Sequence, residues 1–292
     1  MNSIFIGIGI ILILFVLYLF SKNNNNIVGD KFAIHTVFIL KENILFLEDW
    51  LKYHIHIGFD KFYLYDNTGS KYQDIGNGDN IVENKKNKYG IQYDKYINDE
   101  QTQIKFEEIF NKYKDNIVYI KWQPKNDKGQ IIYGQTESIN DYINKYADEN
   151  DWTAFIDMDE FIYMKNYDSI QKFINDNKNY NKIKMHMKNF DDRFVDVNNS
   201  IFDINNSIKH DDIFIGWGSK NICKNIDLMN TKIIHDIQVN NEKLYDCKDI
   251  NEIRFNHYNL NKQKLEWMKD FFNKKEFEFE IDNSMNKYYS LK

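Results

Sequence analysis

The chain is poor in the residues that mark several large classes of protein. Of its 38 basic residues only two are arginine, Arg193 and Arg254, and the formal net charge is −6. Nucleic-acid-binding proteins concentrate positive charge on a patch or helix, preferably with arginine, and no such patch stands out here. Cysteine occurs only at Cys223 and Cys247, in no metal-ligand spacing. Pairing in an oxidising lumen stays open, but free, buried thiols are the expected state. The single proline, Pro124, stands beside plentiful Lys, Asn and Ile, which reads as compositional bias rather than as a binding surface. Enough apolar material remains to fold: 292 residues at 42% hydrophobic can bury one large core or two modest ones.

The amino end differs in kind from the rest. Ile4 to Phe20 carries no charge over 17 residues and is followed by the polar run Ser21 to Asn26. At helical rise such a run spans about 26 Å, close to a bilayer core of about 30 Å. No basic residue precedes it and no small-x-small cleavage site follows, so a membrane anchor over residues 1–21 is expected, rather than a signal peptide, with a polar stalk over 22–30. Lys22 and Lys31 follow the run, which mildly favours a cytosolic carboxyl domain; the orientation stays open.

The remainder alternates strand and helix patterns. Phe32 to Leu40 predicts a strand, Asn43 to Ile57 a helix ended by Gly58, and Phe62 to Tyr65 a second strand. This is the unit that builds a parallel sheet. Ser70 to Asp99 lacks periodicity and reads as a long loop or an irregular strand pair. Glu100 to Tyr113 predicts a helix, Ile117 to Trp122 a strand, and Ile131 to Tyr146 another helix. In the tail, Leu265, Met268 and Phe272 fall at helical spacing, and Phe277 to Ile281 is read as an added strand or a loose end.

Trp152 to Ile156 suits a buried strand, and it runs into Asp157, Met158, Asp159, Glu160 and Phe161. In an extended segment Asp157 and Asp159 would share one side while Met158 packs on the other. Two such hard oxygen donors beyond the carboxyl end of a strand suit a divalent cation, Mg²⁺ or Mn²⁺, that carries a phosphate ligand. A solvated turn capping the strand is the plain alternative.

Several landmarks together resemble glycosyltransferase family 92 and its family 2-like relatives. They are Lys41-Glu42-Asn43 with Asp49-Trp50, Tyr53-His54 and Gly58; Tyr65-Asp66-Asn67; Gln135; Asp157-Met158-Asp159-Glu160-Phe161; Phe190-Asp191-Asp192; Gly218-Ser219-Lys220-Asn221-Ile222; and Asn256-His257-Tyr258. They are collinear over residues 34–270. The first reads Lys-Glu-Asn where the family usually has Lys-Asn-Glu, Asn221 replaces a Ser, and a Pro common after that element is missing. The resemblance implies a GT-A fold with a Rossmann-like, mostly parallel sheet flanked by helices. It further implies a nucleotide-sugar donor, UDP-galactose in characterised members, with a divalent cation and an inverting reaction. Residues 31–165 would form the nucleotide-sugar-binding half, 166–262 the acceptor-side half of the same domain, and 263–292 a helical tail.

Glycosyl transfer places positive charge on the sugar and negative charge on the departing phosphate. A cation held by Asp157 and Asp159 and a lysine such as Lys220 can neutralise the latter. His257 and His235 compete as a third metal ligand, with His257 favoured; a hydrogen-bonded core histidine is the alternative for each. Lys41 and Gln135 are assigned to the donor through the matched motifs. Asp66 is read as a base or ribose contact or as a turn former. Trp217, between Gly216 and Gly218, is read as a stacking platform for the donor or as a core plug. The general base is sought at Asp191 or Asp192, with Asp211 and Asp212 next. The expected protein is thus a membrane-anchored, metal-dependent glycosyltransferase acting on a glycan or other hydroxyl acceptor, without a nucleic-acid partner. A nucleotidyltransferase and a non-catalytic carbohydrate-binding protein are the alternatives.

Overall fold

Seven consecutive buried residues, Phe32–Phe38, form β1. A strand buried on both faces reads as a continuous apolar run because each face meets a layer of its own. Around it the computed structural model describes residues 30–70, 99–191, 200–209, 218–260 and 262–292. The expected anchor over 1–21, nearly all of the stalk, the loop after Ser70, Asp192, Asp211, Asp212 and Trp217 lie outside these residues. No helix among the described residues is long and apolar enough to cross a membrane.

Helix α1, Leu40–His56, follows β1 and buries Ile44, Leu47, Trp50, Leu51 and His54 at the spacing the sequence predicts. The Asn43 side chain accepts the backbone N–H of Ile39 at 3.1 Å, which covers one donor at the helix start. Gly58, at φ 101°, turns the chain out of the helix where an L side chain is strained. Strand β2, Lys61–Asp66, returns parallel to β1. Helix α2, Asp99–Lys112, packs beside α1, with Lys112 Nζ 2.8 Å from Glu48, and β3, Ile117–Lys121, pairs parallel with β2.

Helix α3 is Gln135–Lys145, four residues shorter at its start than the pattern from Ile131 predicts. Ile131 instead bridges Lys125, and the Ile132 N–H donates to the carbonyl of Pro124. Gly134 then takes φ 59°, and a Cβ there would stand 2.5 Å from the Pro124 ring. The apolar pair at 131–132 is spent on that loop, so the helix begins only after the left-handed residue.

Strand β4, Trp152–Phe155, pairs parallel with β1 on the side opposite β2, so β3-β2-β1-β4 make the parallel centre of the sheet. The next strands are β5, Glu160–Met164; β6, Lys182–Asp191; β7, Asn206–Ile208; β8, Lys220–Lys224; β9, Leu244–Asp246; β10, Ile253–Leu260; and β11, Phe279–Ile281. Helix α4, Ile170–Asp176, links β5 to β6, and helix α5, Lys262–Phe271, follows β10. Strand β8 lies antiparallel between β4 and β6. The long β6 continues past that pairing to take β10 parallel along its far half, and β10 in turn pairs antiparallel with β5. Residues 31–292 form one compact unit, a mixed α/β fold.

One face of the sheet buries the larger cluster, including Trp50, Leu64, Met158, Phe161, Phe190 and Tyr258. The other face packs Ala33, Val37, Tyr63, Tyr65 and Phe155 against Ile139 and Tyr142 of α3. Cys223 and Cys247 are free and buried, as expected, and burial pushes both thiols up. Phe279–Ile281 resolves as an added strand, antiparallel to β7.

Candidate functional site

The paired carboxylates stand on a turn, not in the extended segment expected of them. Strand β4 ends at Phe155, and the Glu160 N–H closes onto the Asp157 carbonyl at 3.1 Å. The Glu160 side chain folds back to accept the Asp157 N–H at 2.8 Å, which holds the turn shut. Met158 points into the core at 1% exposure, while the Asp157 and Asp159 side chains keep 36% and 22%. Met158 packs as expected, but the shared side expected of the two acids rested on strand alternation, and a tight turn replaces that strand.

The two carboxylates face different partners. Asp157 accepts from Lys220 Nζ at 2.7 Å and meets the Gln135 amide at 3.5 Å. Asp159 lies 3.2 Å from His257 Nε2. Burial by itself would raise the Asp159 carboxyl, but His257, Lys264 and Lys220 together outweigh it and leave the group below its ordinary value. Burial lowers the imidazole of His257. At neutral pH the contact therefore joins a carboxylate to an uncharged ring. His257 also touches Met187 Sδ at 3.0 Å and the Asn259 amide.

Lys220 is 4% exposed at the start of β8 and lies between two acids, Asp157 and, at 3.4 Å, Glu160. Burial opposes its charge, yet the two carboxylates more than restore it, and its pKa stands well above the usual lysine value. Glu160 is pushed up by burial, with Lys220 pulling the other way. Around the turn, then, are two carboxylates, a charged ammonium, a neutral imidazole and a carboxamide.

Helix α1 supplies the support under this turn, a role that reading along the chain missed. Among the described residues strand β5 pairs with β10 on one edge only. Its other edge is served by side chains: Trp50 Nε1 donates to the Glu160 carbonyl at 2.9 Å, Tyr53 OH to the Ile162 carbonyl at 2.6 Å, and the Ile162 N–H reaches His54 Nε2 at 3.4 Å. Lys287 Nζ completes the edge at the Met164 carbonyl, 3.0 Å away. Buried backbone groups need partners, and one helix face here replaces a missing strand. The spacing of Trp50, Tyr53 and His54 puts them on one helix face, but it does not say what their polar tips meet.

The other expected residues are more scattered. The Asp66 carboxylate, at the carboxyl end of β2, accepts from Thr68 N at 2.9 Å and Tyr119 OH at 2.5 Å, so the turn-forming role is realised. Lys41 Nζ reaches Asp99 at 2.7 Å. Asp191 closes β6, as predicted for a strand end, and accepts from Asn206 at 2.6 Å; burial raises its pKa. His235 contacts the Ser219 backbone at 3.2 Å, leaving His257 as the histidine against Asp159. Among the described residues no three His, Cys, Asp or Glu side chains are gathered as a cation ligand set.

The family model of glycosyltransferase family 92 matches residues 79–291. The chain belongs to glycosyltransferase family 92. The turn, Lys220 and His257 all lie inside the matched range, whereas Lys41 to Asp66 precede it. No curated protein matches this chain at a significant level. Membership makes this family 92 chain a glycosyltransferase, which sets aside the nucleotidyltransferase reading.

Proposed function

We propose that this family 92 protein moves a sugar from a UDP-linked donor to a hydroxyl of a glycan acceptor, with inversion, on a GT-A scaffold. The observation that carries the reading is the turn at the end of β4, where Asp157 and Asp159 emerge beside a buried, charged Lys220 and a neutral His257. The parallel centre of the sheet and the placement of the turn beyond a carboxyl end support the GT-A assignment. A membrane tether over residues 1–21 belongs to the same proposal.

The donor types point to Mn²⁺, since carboxylate oxygens suit a hard divalent cation and an uncharged imidazole is accepted by Mn²⁺ more readily than by Mg²⁺. Asp159 and His257 already adjoin, and Asp157 stands on the same turn, held by Lys220. Asp157, Asp159 and His257 would hold such an ion, which would supply Lewis-acid charge to the diphosphate oxygens. Lys220 contributes a fixed ammonium for the leaving phosphate, held in place by Glu160. Gln135 faces the same carboxylate and can hold the donor's polar groups. At the end of β6, Asp191 offers a carboxylate whose raised proton affinity suits it to take the acceptor hydroxyl's proton as that oxygen attacks the anomeric carbon opposite the departing diphosphate. Asp192 shares that candidacy.

The test is UDP release from UDP-galactose and UDP-glucose by the full chain, with Mn²⁺ and with EDTA. Asp159→Asn should lower kcat/KM by roughly 100-fold, the scale of losing one group that stabilises transition-state charge. EDTA should abolish turnover and Mn²⁺ restore it. A wild-type rate in the variant would remove the turn from the mechanism.

A further inference from the structure

A narrow pocket opens beside the acidic turn, between β1 and the start of α3. His35, Val37, Gln135, Phe155, Asp157 and Lys220 contribute to its walls. His35 is 3% exposed, and its Nε2 has no hydrogen-bond partner. The ring is fixed by packing, with ring centres of Tyr65, Phe155 and Tyr142 at 4.8, 5.6 and 5.7 Å. Burial lowers its pKa to about 3, so one ring nitrogen is a donor and the other an acceptor at neutral pH. An unpaired nitrogen at this depth is costly, and native folds keep such a group where something completes it. The Gln135 amide, on the same wall, is only loosely engaged by Asp157, at 3.5 Å.

We propose that this pocket takes one hydroxyl of the sugar carried by the donor, with His35 as its partner and Gln135 beside it. The proposal rests on the glycosyltransferase reading and deepens it, because it makes His35 a residue that selects the donor. A hydroxyl both donates and accepts, so it satisfies either tautomer of a neutral imidazole. An anion fits poorly against an uncharged ring packed among aromatics, and the ammonium on the same wall, Lys220, is the group proposed above for the phosphates. The sugar is covalently joined to the diphosphate, so a site walled by Asp157 and Lys220 lies within its reach. A buried polar group built for a hydroxyl rejects an analogue that lacks it far more strongly than an apolar pocket rejects an extra group.

The experiment compares wild type with His35→Leu, as full chains, on UDP-galactose, UDP-glucose and their monodeoxy analogues, and measures kcat/KM for UDP release together with affinity for UDP alone. In the wild type one deoxy position should cost at least about 10-fold. His35→Leu should lose a similar factor on the parent donor and treat parent and deoxy donor alike, so that the two losses do not add. UDP affinity should stay within about 2-fold, since on this assignment His35 meets the sugar and not the nucleotide. Should His35→Leu fail to fold, His35→Gln keeps a hydrogen-bonding group and should retain part of the discrimination. A wild type indifferent to every deoxy position, or a variant that keeps wild-type discrimination, overturns the assignment and leaves the pocket a place for structural water. Failure of the parent reading looks different: the wild type would turn over none of the donors.

Discussion

At the residue scale the most readable signature is that of histidines held neutral. Burial lowers His54 to about 3, and its Nε2 accepts the Ile162 N–H while its Nδ1 faces the Trp50 carbonyl at 2.9 Å. Below pH 6.5 the unfolded chain binds a proton at this position that the folded chain refuses until about pH 3. Stability should therefore fall as pH drops through that window, by up to about 1.4 kcal/mol per pH unit for this one group. Urea melts between pH 7 and 4 measure the slope, and His54→Gln should flatten it relative to wild type; an unchanged slope would place the acid sensitivity elsewhere. Asp157 and Asp159 stood out by residue type and spacing, whereas Lys220 and His257 stood out only through the family resemblance. Glu160 was not legible, because its value comes from Lys220, 60 positions away in the chain, and only folding brings the two together. His35 reads in the sequence as one more strand residue; its unpaired nitrogen exists only once the aromatics close around it.

At the scale of elements, the helix after β1 was legible as a helix but not as the missing partner of β5. Periodicity gave the buried stripe of Ile44, Leu47, Trp50, Leu51 and His54, since burial alone imposes it. That Trp50 and Tyr53 also present polar tips to carbonyls follows from tertiary placement, which no local pattern encodes. Tyr53→Phe isolates this function, because it keeps the ring and leaves the buried Ile162 carbonyl without its donor. It should cost about 1–3 kcal/mol by chemical denaturation, the penalty for an unsatisfied buried group. It should also lower kcat/KM, because the strand it steadies carries Glu160 at its first residue. A variant that melts like wild type would show that water or a shifted neighbour replaces the hydroxyl. The late start of α3 teaches the same lesson from the other side: an apolar pair at helical spacing was drawn into a loop by Pro124 and Gly134.

At the scale of the whole molecule, the carboxyl tail is what closes the sheet over β6 and β10. Lys188 on β6 and Arg254 on β10 are 6% and 2% exposed, and no charge on their own strands neutralises them. The tail brings the counter-charges: Asp282 lies 2.5 Å from Lys188 and 2.8 Å from Arg254, and Glu280 of β11 lies 2.6 Å from Lys188. Burial would raise the Asp282 carboxyl, but Arg254 and Lys188 prevail and hold it at about 2. A folded pKa below the unfolded one gives stability that is present above about pH 4 and is lost as pH falls toward 2. Such a cluster contributes little net energy over an apolar substitute, but removing one member strands the others. Asp282→Ala should therefore cost about 3–5 kcal/mol at pH 7, read by urea denaturation, because it leaves two buried cations short of a partner. The same variant should lose its difference from wild type below about pH 2, where the carboxylate is protonated in the folded chain as well as in the unfolded one. A loss below about 1 kcal/mol at pH 7 would mean that Glu280 alone suffices. In that event the tail would be a packed appendage, and the β6 and β10 strands that carry Asp191 and His257 would hold their register without it.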